Sequence, residues 1–580
     1  MPGRRIYWIV ALFFFVALLV SHKRSTNYND VDLDRTWTPS PQQKQQQQQE
    51  LQEQQQLQNK RPPPLGEYIV KPAAGSSSLD PTTPNTSRRY DTLVVIPSSW
   101  TQMQSRRWVR ETVFGIRNNL EPCKKHDGRL IYKFYIHGRS TWLRTPMHTA
   151  QFMQAQVRDL YAEFMEFDDY YFANKTVTDR HTIWDEALDW AVNKFVPAEA
   201  ITVDKVLIFD STTLVNLPKL EDTVLSASSK GTSQNILHSW SETDTATNTN
   251  NKPFAAMLSF PTAKTILSVA TQIKAQYVNS SLVEGAMLYY TRPTQQPTFQ
   301  IVKAEGQLWT SDIDQVQPSA VVVGQVYQQE DWQPLAEKLS IRPVAPCAVD
   351  KSRKDNIAVL TSSYIYVDMC MAEASIPSAE NKRAYAKRHG YDFVARSAEF
   401  AQEEFRGRRL VWGKIGAIQK VLPHYEWLLW MDMDAIVADI DKDVREIIRK
   451  AEEASEREDA EISMIVSRPL KDKMLNAGVM LIKNTDWSRR FFNEVQRRKG
   501  WYHRSPSYEQ GAIWEVMQED RWKSGYLLFD RDDHTMNTFP KYYDDGDFII
   551  HFAPAGCPAV PVLEALGKIV NGESAKDVGI

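Results

Sequence analysis

Cysteine is scarce in this chain. Cys123, Cys347, Cys370 and Cys557 are the four among 580 residues, too few and too scattered for a disulfide-stapled scaffold or a zinc knuckle. One or two disulfides are compatible with them, and no pairing is fixed by the sequence. Surplus charge is equally scarce: 69 Lys and Arg stand against 72 Asp and Glu, a formal net charge of −3. No basic stripe with interleaved aromatics runs along the chain, which speaks against nucleic acid as a partner.

One uninterrupted apolar run stands out, Ile6–Val20, preceded by Arg4 and Arg5 and closed by His22, Lys23 and Arg24. It is short against the ~20 residues that cross a bilayer, and a cleavable signal peptide is the competing reading. No small-x-small cleavage site follows Val20, which favours an uncleaved signal anchor. The expectation is a type II protein of the Golgi membrane: a cytoplasmic tail at 1–5, a transmembrane anchor at 6–21 and a lumenal body. Sequons at Asn85, Asn174 and Asn279 fit that side of the membrane. Residues 22–88 read as a disordered stem. They hold a glutamine-rich tract from Gln42 to Gln58, then Pro62–Pro64 and Ser76–Ser78, and cannot build a core.

Order is expected from Thr92–Pro97, an apolar run of the buried-strand kind. Strand-like Leu130–Ile136, helix-like Trp184–Phe195 and strand-like Lys205–Phe209 follow, while Ser226–Lys252 reads as a long polar loop. A second start lies at Asn356–Thr361, followed by a helical pattern over Ala379–His389 with Gly390 as its C-cap. A strand pattern at Tyr391–Val394, a helical run Trp412–Leu422 and the apolar strand Trp427–Met431 come next. Alternation of this kind predicts α/β architecture, in two domains at 89–345 and 352–570.

The last strand delivers Asp432-Met433-Asp434. Ligand sites in open α/β sheets fall at the C-terminal ends of strands. In an extended stretch, residues two apart point to one side. Two carboxylates facing one ion suit a hard divalent cation, which would offset the charge of a departing diphosphate.

The order of several segments resembles glycosyltransferase family 34, the α-galactosyl-, α-1,6-mannosyl- and xyloglucan xylosyltransferases. Tyr385-Ala386, His389–Asp392, Trp412–Ile415, Trp427–Ile436, Asn476–Asn484, Glu509-Gln510 and His551-Phe552 carry the resemblance, over residues 356–560. It implies a GT-A (Rossmann-like, mostly parallel sheet) fold, a nucleotide diphosphate sugar donor such as UDP-galactose or GDP-mannose, Mn2+, retention of configuration and a glycan acceptor. It further implies Asp432, Asp434 and His551 as metal ligands and Lys414, Asn476 and Gly478 as substrate-binding residues. Glu509 and Gln510 would be the catalytic pair. Complexes with other Golgi transferases are a further expectation.

One departure concerns the segment after His551-Phe552, which in this family often reads Gly-Cys-Lys after one residue. Here it runs Ala553-Pro554-Ala555-Gly556-Cys557-Pro558, without the basic residue. Residues 89–345 bear a fainter resemblance to the β-1,3-galactosyltransferase-like family 31, through Arg106–Thr112, Phe167–Tyr170, Asn174–Thr176 and Phe209–Asn216. Asp210 is the one acid left where that family has its metal motif, so this domain is expected to be a degenerate GT-A-like unit, giving two in tandem. The contrasting expectations are a lectin-like or scaffolding protein without catalysis, and a bifunctional enzyme with both domains active.

Overall fold

The computed structural model describes residues 89–116, 119–120, 129–138, 151–173, 179–228, 235–241, 253–292, 299–341, 356–366, 368–458, 460–469, 473–530, 533–553 and 556–578. All of them lie in one compact unit, Pro64–Ile580. The tail, the anchor and the stem expected over 1–88 lie outside these residues, as do Cys123, Cys347 and the sequons at Asn85 and Asn174. Asn279 is described and exposed. Among the described residues no helix is long and apolar enough to cross a membrane.

The chain is mixed α/β, built on two large sheets. In space, the first runs Tyr170–Phe172, Leu130–His137, Arg89–Ser99, Thr202–Phe209, Pro253–Ser259, Ile236–Ser241, Gln300–Glu305. The second runs Asp392–Arg396, Ile357–Ser362, Trp427–Met431, Asn476–Lys483, Met464–Ser467, Tyr526–Phe529. Leaving aside the edge strand Tyr170–Phe172, both sheets follow one pattern of neighbours: parallel, parallel, antiparallel, antiparallel, parallel. Helices cover both faces of the first sheet, so its central strand Arg89–Ser99 is buried on both sides. Val94 and Ile96 enter one core and Leu93 and Val95 the other, which explains an apolar run without alternation.

Side chains join the two halves. Asn119 Nδ2 donates to the Ala395 carbonyl at 2.6 Å, and Arg396 Nη1 donates to Asn119 Oδ1 at 2.6 Å. Ser363 Oγ donates to Glu166 Oε1 at 2.6 Å, and Arg383 Nη2 to the Met165 carbonyl at 2.7 Å. Helix Ala372–His389 packs between helix Gln151–Glu166 and the late helix Ala559–Val570.

Three expectations need correction. The stretch 226–252 is not all loop: helix Leu217–Ser228 runs into it, and Ile236–Ser241 is a sheet strand although His238 and Ser239 are polar. The pairing of that strand with two neighbours overrides its weak strand pattern. The helix expected to begin at Ala379 begins at Ala372, with Pro377 inside it. Burial of Ala374, Ser375 and Ile376 keeps the turn despite the missing donor. The helix expected over Trp184–Phe195 is longer at both ends, running from Arg180, with Asp179 as its cap, to Ala198, with a wider π-helical turn over Trp190–Phe195. Gly390 does take the left-handed C-cap conformation, at φ 72°.

Candidate functional site

Strand Trp427–Met431 is buried throughout and ends where Asp432 N donates to the Gly478 carbonyl at 2.7 Å. The chain then turns, with Ala435 N donating to the Asp432 carbonyl at 3.1 Å. The two carboxylates therefore meet through a tight turn, not through the extended alternation expected from their spacing. Ala435–Val437 next pairs antiparallel with Ile549–His551, in a register that sets Ala435 opposite His551. This pairing brings His551 beside Asp434: Nε2 lies 3.4 Å from Asp434 Oδ1, and Phe552 N donates to the Asp434 carbonyl.

Asp432, Asp434 and His551 each offer one ligand atom within 4.8 Å of the others, and among the described residues they are the group able to hold a metal ion. Two further observations fit a cation there. His551 Nδ1 is buried without a hydrogen-bond partner among the described residues. A Cβ on Gly478 would sit 2.0 Å from His551 Cε1, so the imidazole needs the missing side chain of this glycine. Asp434 is held below the usual carboxylate range: burial would raise it, but the His551 charge and hydrogen bond outweigh that.

Lys414, in the first turn of helix Gly413–Val421, is buried. Its ammonium lies 3.0 Å from both Asp432 Oδ1 and Glu509 Oε1 and donates to the Ala477 carbonyl at 3.1 Å. Burial pulls its pKa down, and the two carboxylates outweigh this and raise it. Lys414 is thus an internal counter-ion to both carboxylates, with its donors engaged. Trp430 Nε1 donates to Asp432 Oδ1 at 2.8 Å, further fixing that carboxylate.

Glu509 stands buried in the first turn of helix Tyr508–Met517. Burial chiefly raises its pKa, Asp432 adds to this and Lys414 opposes it. Gln510 Oε1 accepts from Ala477 N at 2.9 Å. Asn476 opens strand Asn476–Lys483, and its Oδ1 accepts from Gly478 N at 2.9 Å and from Asn537 Nδ2 at 3.0 Å. All eight sequence-derived residues therefore converge on the tips of adjoining strands of the second sheet.

Three further residues belong to this neighbourhood and carry no sequence signal. Lys382 is buried at the helix face behind the turn, with Nζ 2.6 Å from Ser378 Oγ; burial lowers its pKa to about 7, against the pull of Asp434 and Asp432. A lysine in a helical pattern reads as solvated. Tyr366 is 38% exposed, and its hydroxyl is pushed up by the protein atoms packed around it and then by the charges of Asp432, Glu509 and Asp434. Asn537 lies in a segment with no periodicity. The disulfide Cys370–Cys557 ties the loop preceding helix Ala372–His389 to the segment after His551, across 187 residues.

The corresponding strand end of the first sheet is different. Asp210 Oδ2 accepts from Arg180 Nε at 2.6 Å and Oδ1 from Trp184 Nε1 at 2.6 Å, so its charge is matched within the protein. Asp169, in the segment that resembles family 31, is buried against Arg110 and Tyr132, with Arg110 Nε 2.7 Å from Oδ2. Its role there is structural.

Residues 354–560 match the model of the galactosyl transferase GMA12/MNN10 family. The Saccharomyces cerevisiae protein named "Probable alpha-1,6-mannosyltransferase MNN10" is 25% identical over 226 residues, 31% of this chain and 54% of the relative. An alpha-1,2-galactosyltransferase of Schizosaccharomyces pombe is 26% identical over 214 residues, 31% of this chain and 55% of the relative. The chain spans little more than half the length of these curated relatives. Among solved structures, a glycosyltransferase involved in glycosylation of the major capsid of PBCV-1 overlaps 37% of this chain and 98% of its own, at 19% identity and TM-score 0.27. The WbbM bifunctional glycosyltransferase overlaps 66% and 90%, at 9% identity and TM-score 0.31. The resemblance of 89–345 to family 31 gains no support from these matches. The segment that matches the galactosyl transferase GMA12/MNN10 family, residues 354–560, is the one that carries Asp432, Asp434 and His551.

Proposed function

We propose that the chain is a retaining hexosyltransferase that uses a nucleotide diphosphate sugar, UDP-galactose or GDP-mannose, and Mn2+ to extend a glycan acceptor. The observation that carries this reading is the cradle of Asp432, Asp434 and His551, with Gly478 leaving room for the imidazole. Lys414 pairs with Asp432 and Glu509 and His551 lies against Asp434, so two carboxylates and an imidazole face one space, a donor set that suits a divalent cation. Bound Mn2+ supplies positive charge for a departing diphosphate.

The protein's own groups do the positioning. Lys414 and Trp430 hold the Asp432 carboxylate, and Gln510 fixes the backbone at Ala477. Asn476 keeps the Gly478 amide in place, so that the strand tip offers a close approach to a sugar. Glu509 is tied to Lys414 at 3.0 Å, a poor state for a nucleophile, which supports attack from the same face as the leaving group. In this reading the two sheets are tandem GT-A-like domains, and the first is not a second transferase because Asp210 is already paired with Arg180.

The run Ile6–Val20 supports a type II Golgi anchor, and the Cys370–Cys557 bond fits an oxidising lumen. Association with other Golgi transferases belongs to the same proposal. Release or transfer of galactose from UDP-galactose, and of mannose from GDP-mannose, is to be assayed with Mn2+ and with chelator. One donor is expected to be consumed only with Mn2+, and Asp432→Asn to abolish turnover while the protein stays folded. Undiminished turnover by Asp432→Asn would remove the assignment.

A further inference from the structure

The first sheet has a cavity that the transferase site does not use. Strands Arg89–Ser99, Leu130–His137 and Thr202–Phe209 deliver Ser99, His137 and Asp210 to a space of about 400 Å3, within the ~300–1,000 Å3 of small-molecule sites. Ligands of open α/β sheets settle at this end of the strands. The matching strand of the second sheet delivers Asp432 at the same place.

The lining selects against ions. Arg180 and Asp210 neutralise one another at 2.6 Å, and Arg180 Nη2 also donates to the Pro253 carbonyl at 2.7 Å. His137 is held below its ordinary range by burial and then by the charge of Arg106. Among the described residues of the lining, no unpaired acid awaits a cation and no unmatched base awaits a phosphate.

What remains is neutral and polar: Gln102, Thr213 and Gln325 surround the space, beside Tyr327, which is 58% exposed. Gln325 holds φ 65° although it is not glycine, a conformation that persists where surrounding structure enforces it and that concentrates at ligand sites. Val326 N supplies part of that enforcement by donating to the Thr212 carbonyl at 2.8 Å. Next to it, a Cβ on Gly324 would lie 2.3 Å from Phe254, so this glycine lets the Phe254 ring form part of the wall. Neutral donors and acceptors beside an exposed aromatic face match a ligand with hydroxyls at its edge and C–H groups on its faces.

We propose that this cavity is a metal-independent saccharide site that takes a neutral sugar residue of a glycan. It stands on the lining alone and not on the transferase reading. The test is saturation-transfer NMR on the full chain in chelator, with methyl α-mannoside and methyl α-galactoside as probes. At least one glycoside is expected to receive saturation from the wild type and equally from Asp432→Asn. Tyr327→Ala, an exposed position whose melting temperature should match wild type, is expected to weaken binding by about tenfold or more. A second variant, Gln325→Ala, is expected to weaken it as well. Binding of neither glycoside, a requirement for Mn2+, or unchanged binding in Tyr327→Ala would overturn the proposal. So would UDP or GDP binding in chelator that Tyr327→Ala removes while the glycosides stay unbound. Sugar transfer by Asp432→Asn would sink the transferase reading and leave this site untouched, so the two failures are distinguishable.

Discussion

At the scale of single residues, Gly478 is the tightest constraint at the candidate site. A methyl group there would meet His551 at 2.0 Å, and crowding of this kind costs about 1–3 kcal/mol in a packed interior. Gly478→Ala is expected to lower the melting temperature modestly and to push the imidazole off Asp434, so that Mn2+ no longer raises the melting temperature; Mn2+ stabilisation equal to wild type would refute it. Much of this site was legible in the sequence. Asp432, Asp434 and His551 sit in an ordered series of motifs, and each is carried by an apolar strand that reads clearly. The ion pairing of Lys414 was not legible, because its partner Glu509 comes from a distant helix and no local pattern encodes such a pairing. The turn at Met433 was hidden for the same reason: the His551 strand that pairs with Ala435 fixes it from afar.

At the scale of elements, strand Ile236–Ser241 carries a stability liability. His238 is buried, stacked on Trp240 at 4.2 Å and 4°, and both ring nitrogens lack a partner among the described residues. Burial lowers its pKa from 6.5 to about 4. The unfolded chain therefore takes up the proton first as pH falls, and the fold loses stability between about pH 6.5 and 4. A difference in proton affinity of this size corresponds to a loss of at most about 3 kcal/mol. His238→Phe is expected to lack this component, so its unfolding free energy should fall less than that of wild type over that pH window; parallel curves would contradict it. Strand Ile236–Ser241 was missed because its polar residues mask the alternation, whereas Thr92–Pro97 and Trp427–Met431 were visible because burial on two faces demands continuous apolar sequence. Pro377 hid the start of helix Ala372–His389, where packing prevails over a local breaker.

At the scale of the whole molecule, residues of both sheets share one apolar core, and a few buried polar groups bridge the halves as well. Asn119 from the first half bonds both the Ala395 carbonyl and Arg396 of the second. Arg396 also pairs with Glu399 at 2.7 Å, so Asn119→Ala leaves its charge compensated and removes the bridge. Loss of these buried bonds is expected to cost about 1–3 kcal/mol and to speed amide exchange in strand Asp392–Arg396; unchanged exchange there would show that Asn119 does not secure the junction. Repetition of one strand order in both halves was only partly legible, since the polar members of the first sheet gave no signal.

Titration of Mn2+ into the full chain, followed by electron paramagnetic resonance, tests the central claim most directly. Binding at one site is expected, weakened by roughly tenfold or more in both Asp434→Asn and His551→Ala, given that even outer-shell changes cost ~10–100-fold at metal sites. Equal affinity in wild type and both variants would contradict it.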